Sequence, residues 1–160
     1  MKILLVEDDD NKRLRLLGIL QAIGFEVELA ASCQRGLKAL LCSRYDAIVL
    51  DMTLPTFDIS EEDDGGRPQA LGGQELLRQM KRRGIASPVV VVTQFDQFGE
   101  RQDALTRQQL DTELRTHHGD IYAGLVFYDS TSDGWKEQLT LVLSQALPGH
   151  AKDGSTNTNS

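Results

Sequence analysis

Two short apolar runs, Ile3-Leu4-Leu5-Val6 and Ala47-Ile48-Val49-Leu50, each stop on carboxylates, the first on Glu7-Asp8-Asp9-Asp10 and the second on Asp51. A third run, Val89-Val90-Val91-Val92-Thr93, is β-branched throughout and shows no polar alternation. Unbroken runs of this kind read as strands covered on both faces, as in a parallel sheet sandwiched between helices. Laid side by side in one such sheet, the first two runs bring their acidic ends to the same edge, where an open α/β sheet keeps its ligand crevice. Carboxylates crowded there repel one another unless a cation sits between them. Their hard oxygens suit Mg²⁺, which takes a few carboxylates, keeps several waters and is completed by phosphate oxygens. The pattern therefore predicts a small acidic Mg²⁺ site that handles a phosphoryl group.

Between these runs the periodicity becomes helical. Leu16, Leu17, Leu20 and Ile23 form a stripe that Gly24 closes, and Ser32 is placed to cap a helix carrying Leu37, Leu40 and Leu41. Leu76, Leu77 and Met80 mark a third helix ending at Gly84. Phe25 to Ala30 alternates as a strand, and a polar, weakly patterned helix is expected from about Gly99 to His117. Leu125-Val126-Phe127-Tyr128 reads as a fifth strand, and Leu139, Val142, Leu143 and Ala146 as a closing amphipathic helix. Strands alternating with helical crossovers make an α/β fold with a parallel sheet. Asp8, Asp9 or Asp10 can cap the first helix, with Asp10 the expected cap.

A chain of 160 residues is the size of one domain and leaves no room for a second catalytic one. Its net charge of −7 argues against a nucleic-acid binder, which needs a basic stripe. Lys12, Arg13 and Arg15 fall at the start of one helix, and Lys81, Arg82 and Arg83 at the end of another, where cations suit the helix dipole. Cys33 and Cys42 fit no metal or disulfide spacing and are expected to be buried small hydrophobes. No apolar run approaches membrane-spanning length and no secretory leader is visible, so a soluble, cytoplasmic protein is expected. Residues 148–160 lack any large apolar side chain and read as a disordered polar tail behind a domain of residues 1–147. Within that domain, about residues 56–71 form an acidic, non-periodic insertion that follows Asp51; it is either a functional loop at the rim of the acidic site or a tolerated surface insertion.

With these elements in order, the chain resembles the response-regulator receiver domain, the phosphoryl-accepting half of two-component signalling, over roughly residues 1 to 147. Leu5-Val6-Glu7-Asp8-Asp9 is similar to the family's strand-1 acidic pair, and Ile48-Val49-Leu50-Asp51-Met52-Thr53-Leu54-Pro55 to its phospho-acceptor motif. Gly73-Gln74-Glu75-Leu76-Leu77 resembles the family's entry to helix 3. The resemblance implies a flavodoxin-like, doubly wound five-stranded sheet of order 2-1-3-4-5 with helices on both faces. It implies Mg²⁺ held by Glu7, Asp8, Asp51 and the main-chain carbonyl of Thr53, with Asp51 as phospho-acceptor and Thr93 as the switch hydroxyl. The implied partners are a sensor histidine kinase or phosphotransfer protein and an unknown output protein, or a second copy joined through the helix 4, strand 5, helix 5 face. Each residue also has a purely structural reading, Asp51 as a strand-end turn residue and Thr93 as a simple β-former.

One departure from the family is clear. Its fifth strand ends on Lys-Pro, the lysine contacting the phosphoryl oxygens, whereas this strand runs on into Tyr128-Asp129-Ser130, and no Lys or Arg occurs from Thr116 through Trp135. Lys136 is expected to be surface decoration, and Gln94 stands where a small residue is usual. The expected function is a stand-alone, non-enzymatic receiver accepting a phosphoryl group on Asp51. Its rival is a phosphorylation-independent pseudo-receiver that acts as a constitutive interaction module. A phosphohydrolase of the haloacid-dehalogenase type would need a second Asp two residues after the nucleophile, where this chain has Thr53.

Overall fold

A computed structural model describes residues 1–52, 72–93, 97–98, 105–129 and 131–147. Thr53, the insertion at 56–71, Gln94 and the segment 148–160 lie outside the described residues. The elements run β1 (Lys2–Val6), α1 (Asp10–Ile23), β2 (Glu26–Ala30), α2 (Cys33–Cys42), β3 (Ala47–Leu50), α3 (Gly72–Arg83), β4 (Val89–Thr93), β5 (Gln97–Phe98), β6 (Leu105–Thr106), α4 (Arg107–His118), β7 (Tyr122–Phe127) and α5 (Gly134–Ala146). The main sheet has five parallel strands in the order β2-β1-β3-β4-β7. Because β7 is its fifth strand, this is the doubly wound 2-1-3-4-5 order expected from the sequence.

Strand residues of alternate parity feed two cores. Leu4, Val6, Ile48, Leu50, Val89 and Val91 pack with residues of α2, α3 and α4 on one face. Ile3, Leu5, Val49, Val90, Val92 and Val126 pack with residues of α1 and α5 on the other. Both faces of the central strands are thus dry, which is why their sequences show no alternation. No helix among the described residues is long and apolar enough to cross a membrane.

Three local expectations are corrected. The helix expected from Gly99 starts at Arg107 instead, and the short strands β5 and β6 precede it, with Phe98 paired to Leu105 and Gln97 to Thr106. Aromatic, aliphatic and β-branched residues favour the extended pairing, and the only strongly apolar helical spacing begins at Leu110 and Leu114. Asp9, not Asp10, caps α1: it is extended, and its side chain accepts from the Lys12 amide. Cys33 is buried as expected, but Cys42 is exposed at the end of α2.

Burial, with the Glu75 charge adding to it, pushes the Cys33 thiol up to about 11. Native protein is therefore expected to react with one equivalent of maleimide, at Cys42, and with two after denaturation. Two in the native state would show that the α2 end opens readily.

Candidate functional site

Register places the candidate residues at one edge. Val6 lies beside both Ala30 and Leu50, and Leu50 beside Val91, so β1, β3 and β4 reach the carboxyl edge together. The next residues continue the ladder: the Glu7 amide donates to Ala30 O at 2.9 Å and the Asp51 amide to Val6 O at 3.0 Å. Thr93 ends β4 opposite Phe127, and the Tyr128 amide donates to Thr93 O at 2.7 Å.

Carboxylate oxygens of Glu7, Asp8 and Asp51 come within 4.8 Å of one another. Glu7 and Asp51 are 1% and 4% exposed, and Asp8 is half-buried. Burial raises the Asp8 carboxyl, and the nearby Asp51 charge raises it further. Burial also pushes the Glu7 carboxyl up to about 8, against the pull of a neighbouring ammonium. Three clustered oxygen donors that resist ionising together are a donor set of the hard kind that Mg²⁺ takes. Thr93 Oγ1 is buried and has no hydrogen-bond partner among the described residues.

The neighbouring ammonium belongs to Lys12, whose place in the sequence is that of a helix-start cation. It is 2% exposed. Its Nζ lies 2.9 Å from Glu7 Oε1 and 3.3 Å from Asp51 Oδ1, and it donates to the carbonyl of Val92 at 3.0 Å. The Glu7 contact is an ion pair at hydrogen-bond distance whose angles fall outside hydrogen-bond geometry. Burial alone would lower the Lys12 ammonium, but Asp51 and Glu7 outweigh it and hold the group above the ordinary lysine range. The signal was present in the sequence, since Lys12 stands four and eight residues before Leu16 and Leu20 on the buried stripe of α1.

Tyr128, at the strand end where no lysine occurs, is buried with its ring 5.7 Å from Lys12 Nζ and tilted against Trp135 of α5 at 4.9 Å. The Tyr128 ring covers one side of the ammonium, and Trp135 backs that ring. Lys136 is partly exposed and pairs with Asp133 at 3.4 Å, a surface position as expected.

Gly73 ties α3 to this edge. Its amide donates to Met52 O at 2.9 Å, and a Cβ there would stand 2.6 Å from Asp51 O and 2.9 Å from Met52 Cα. Only glycine allows so close a backbone approach. Gly73→Ala is expected to destabilise the fold by about 1–3 kcal/mol through overpacking against backbone that cannot yield. Equilibrium urea unfolding measures this, and an unchanged midpoint would show that α3 shifts freely.

The chain matches the family described as the response regulator receiver domain over residues 3–112. It is 33% identical to the Detocs response regulatory protein DtcB of Enterobacter cloacae (strain JD6301) over 150 residues, 91% of this chain and 99% of that protein. Among solved structures, it superposes on a CheY-like response regulator receiver domain protein from Methanospirillum hungatei with a TM-score of 0.63 at 19% identity, covering 96% of this chain and 98% of that one. It also superposes on response regulator protein TrrA from Thermotoga maritima, solved in complex with Mg(2+)-BeF, with a TM-score of 0.57 at 19% identity, covering 88% and 97%. At such identities the structural likeness concerns the fold. Sheet order, sequence match and a full-length relative agree, and the chain belongs to the response regulator receiver domain family of two-component signalling, whose members are signalling domains and not enzymes of the ordinary kind.

Proposed function

We propose that this protein accepts a phosphoryl group on Asp51 from a sensor histidine kinase or phosphotransfer protein and relays the signal by protein–protein contact. The observation that supports the reading best is the convergence of buried Asp51 and Glu7 with half-buried Asp8 at the carboxyl edge of the sheet. An Asp51 oxygen attacks phosphorus as the bond from phosphorus to the donor nitrogen breaks. The electron pair leaves with the donor imidazole, which regains a proton, and an acyl phosphate remains on Asp51.

Glu7, Asp8 and Asp51 would hold Mg²⁺, with the Thr53 carbonyl as the fourth protein ligand carried over from the family resemblance. Bound there, the ion supplies Lewis-acid polarisation of phosphoryl oxygens. The new group brings about −1.5 to −2 charges and strong acceptor oxygens. Thr93, whose buried hydroxyl has no partner among the described residues, gains an acceptor in one of them. Because Thr93 O accepts the Tyr128 amide and Tyr128 packs on Trp135, a shift at Thr93 reaches β7 and α5 through two contacts. The face made by α4, β7 and α5 is where an output protein or a second copy would read the change.

A second reading, a phosphorylation-independent interaction module, is favoured by one observation. Lys12 already supplies a cation to the Glu7 and Asp51 pair from within the chain. Intact-mass analysis after exposure to acetyl phosphate with Mg²⁺ separates the two. The expected result is one added phosphoryl group on the wild type and none on Asp51→Asn. No addition from acetyl phosphate or from any histidine kinase would move the conclusion to the interaction module.

A further inference from the structure

The geometry points to Lys12 as the phosphoryl-binding cation of this receiver, delivered into the pocket from the first turn of α1. The inference rests on Asp51 being the phosphoryl acceptor, as proposed above.

Three oxygens surround the ammonium: it donates to Val92 O and forms ion pairs with Glu7 Oε1 and Asp51 Oδ1. These lie just beyond β1, just beyond β3 and on β4, so Nζ sits in the middle of the edge where Asp51 ends. A phosphoryl oxygen on Asp51 is only two bonds beyond the carboxylate oxygen that Nζ already contacts at 3.3 Å. Rotation about the last side-chain torsions of Lys12 therefore carries Nζ from its Asp51 contact to that oxygen without backbone movement. The new acceptors are more highly charged than the ones exchanged, so the exchange is favourable in a pocket shielded from water.

Packing gives no reason for a lysine here. The position continues the Leu16 and Leu20 stripe of α1. Removing an ammonium from water costs several kcal/mol, and an apolar replacement of a whole buried ion pair is often neutral or stabilising. Stability therefore does not require the buried cluster as a whole, although with Glu7 and Asp51 in place it does require the lysine. Arg13, Arg15 and Lys136, the other cations of this region, have ion-pair partners in Asp10 and Asp133 toward the surface. Tyr128, backed by Trp135, covers the side of the pocket next to Nζ.

The test uses beryllofluoride, a stable phosphoryl mimic, titrated calorimetrically in saturating Mg²⁺, alongside the rate of phosphorylation by acetyl phosphate. Lys12→Met is expected to weaken beryllofluoride binding and slow phosphorylation by about 10²-fold, the usual loss when one preorganised donor to a developing anion is removed. Mg²⁺ affinity should hold or increase, because a cation adjacent to the ion is gone. The double variant Lys12→Met with Tyr128→Lys, which returns an ammonium from the strand end, should recover most of the loss.

Beryllofluoride binding by Lys12→Met equal to wild type would overturn the Lys12 assignment and leave Asp51 as acceptor. A loss that the double variant does not recover would overturn it too, by marking Lys12 as structural. Failure of the wild type itself to bind would remove the Asp51 reading and this one with it. Should Lys12→Met fail to fold, the ammonium nitrogen resonance of Lys12 in ¹⁵N-lysine-labelled wild type decides. It must shift when beryllofluoride is added with Mg²⁺, and an unmoved resonance refutes the contact.

Discussion

Replacing Lys12 by Met in metal-free protein is expected to lower the free energy of unfolding by about 3–5 kcal/mol, the cost of leaving a buried charge without its partner. Glu7 and Asp51 are both buried, and Lys12 lies within 3.3 Å of each. Without it, their negative charges face one another in a region of low dielectric constant. Glu7 can limit the damage by holding a proton, since burial already raises its carboxyl to about 8. The double variant Lys12→Met with Glu7→Gln should therefore recover part of the loss, because only one buried carboxylate then lacks a cation. Urea unfolding with an unchanged m-value would report the stabilities directly. A change below about 1 kcal/mol, the size of an exposed ion pair, would mean that water reaches the pocket.

The strands were legible because each central one buries both faces, and Val89-Val90-Val91-Val92-Thr93 could hardly be anything else. The caps Gly24 and Ser32 were legible for equally local reasons: Gly24 adopts φ 118 and Ser32 accepts the Arg35 amide through its side chain. Where several neighbours could do the same work, the reading slipped. Asp9 and Asp10 are equivalent as cap residues, and only the path of the chain out of Glu7 selects Asp9. The start of α4 slipped because its apolar spacing is carried by Leu110 and Leu114 alone, while the pairing of β5 with β6 is a tertiary fact.

Glu7, Asp8 and Asp51 could be foreseen together because adjacent parallel strands bring their ends to a common edge. Lys12 could not be foreseen by the same rule. Its partner carbonyl on Val92 is 80 residues away. A cation absent from the fifth strand suggests a pocket without one, yet a helix crossing the edge can supply it from any turn that faces inward. The charge on the apolar stripe of α1 was the available sign, and its identity as a helix-start lysine disguised it.

Mg²⁺ is expected to raise the thermal midpoint of the wild type, because an ion bound only by the folded state stabilises it. At a hundredfold excess over the dissociation constant the gain is about 2.7 kcal/mol, roughly 5–10 °C for a domain of this size. The baseline behaviour of two variants makes the result diagnostic. Asp8 ionises against burial and the Asp51 charge, so Asp8→Asn removes an unfavourable charge and should melt slightly higher than wild type in metal-free buffer. Asp51→Asn takes a partner from Lys12 and should melt lower. Both should then lose most of the Mg²⁺ increment, since each removes one of the three carboxylates clustered among the described residues. Sodium chloride at matched ionic strength controls for general screening, which acts weakly on buried charges. If wild type and both variants respond to Mg²⁺ alike, the ion acts elsewhere on a surface of net charge −7, and Lys12 is the cation that the edge carboxylates rely on.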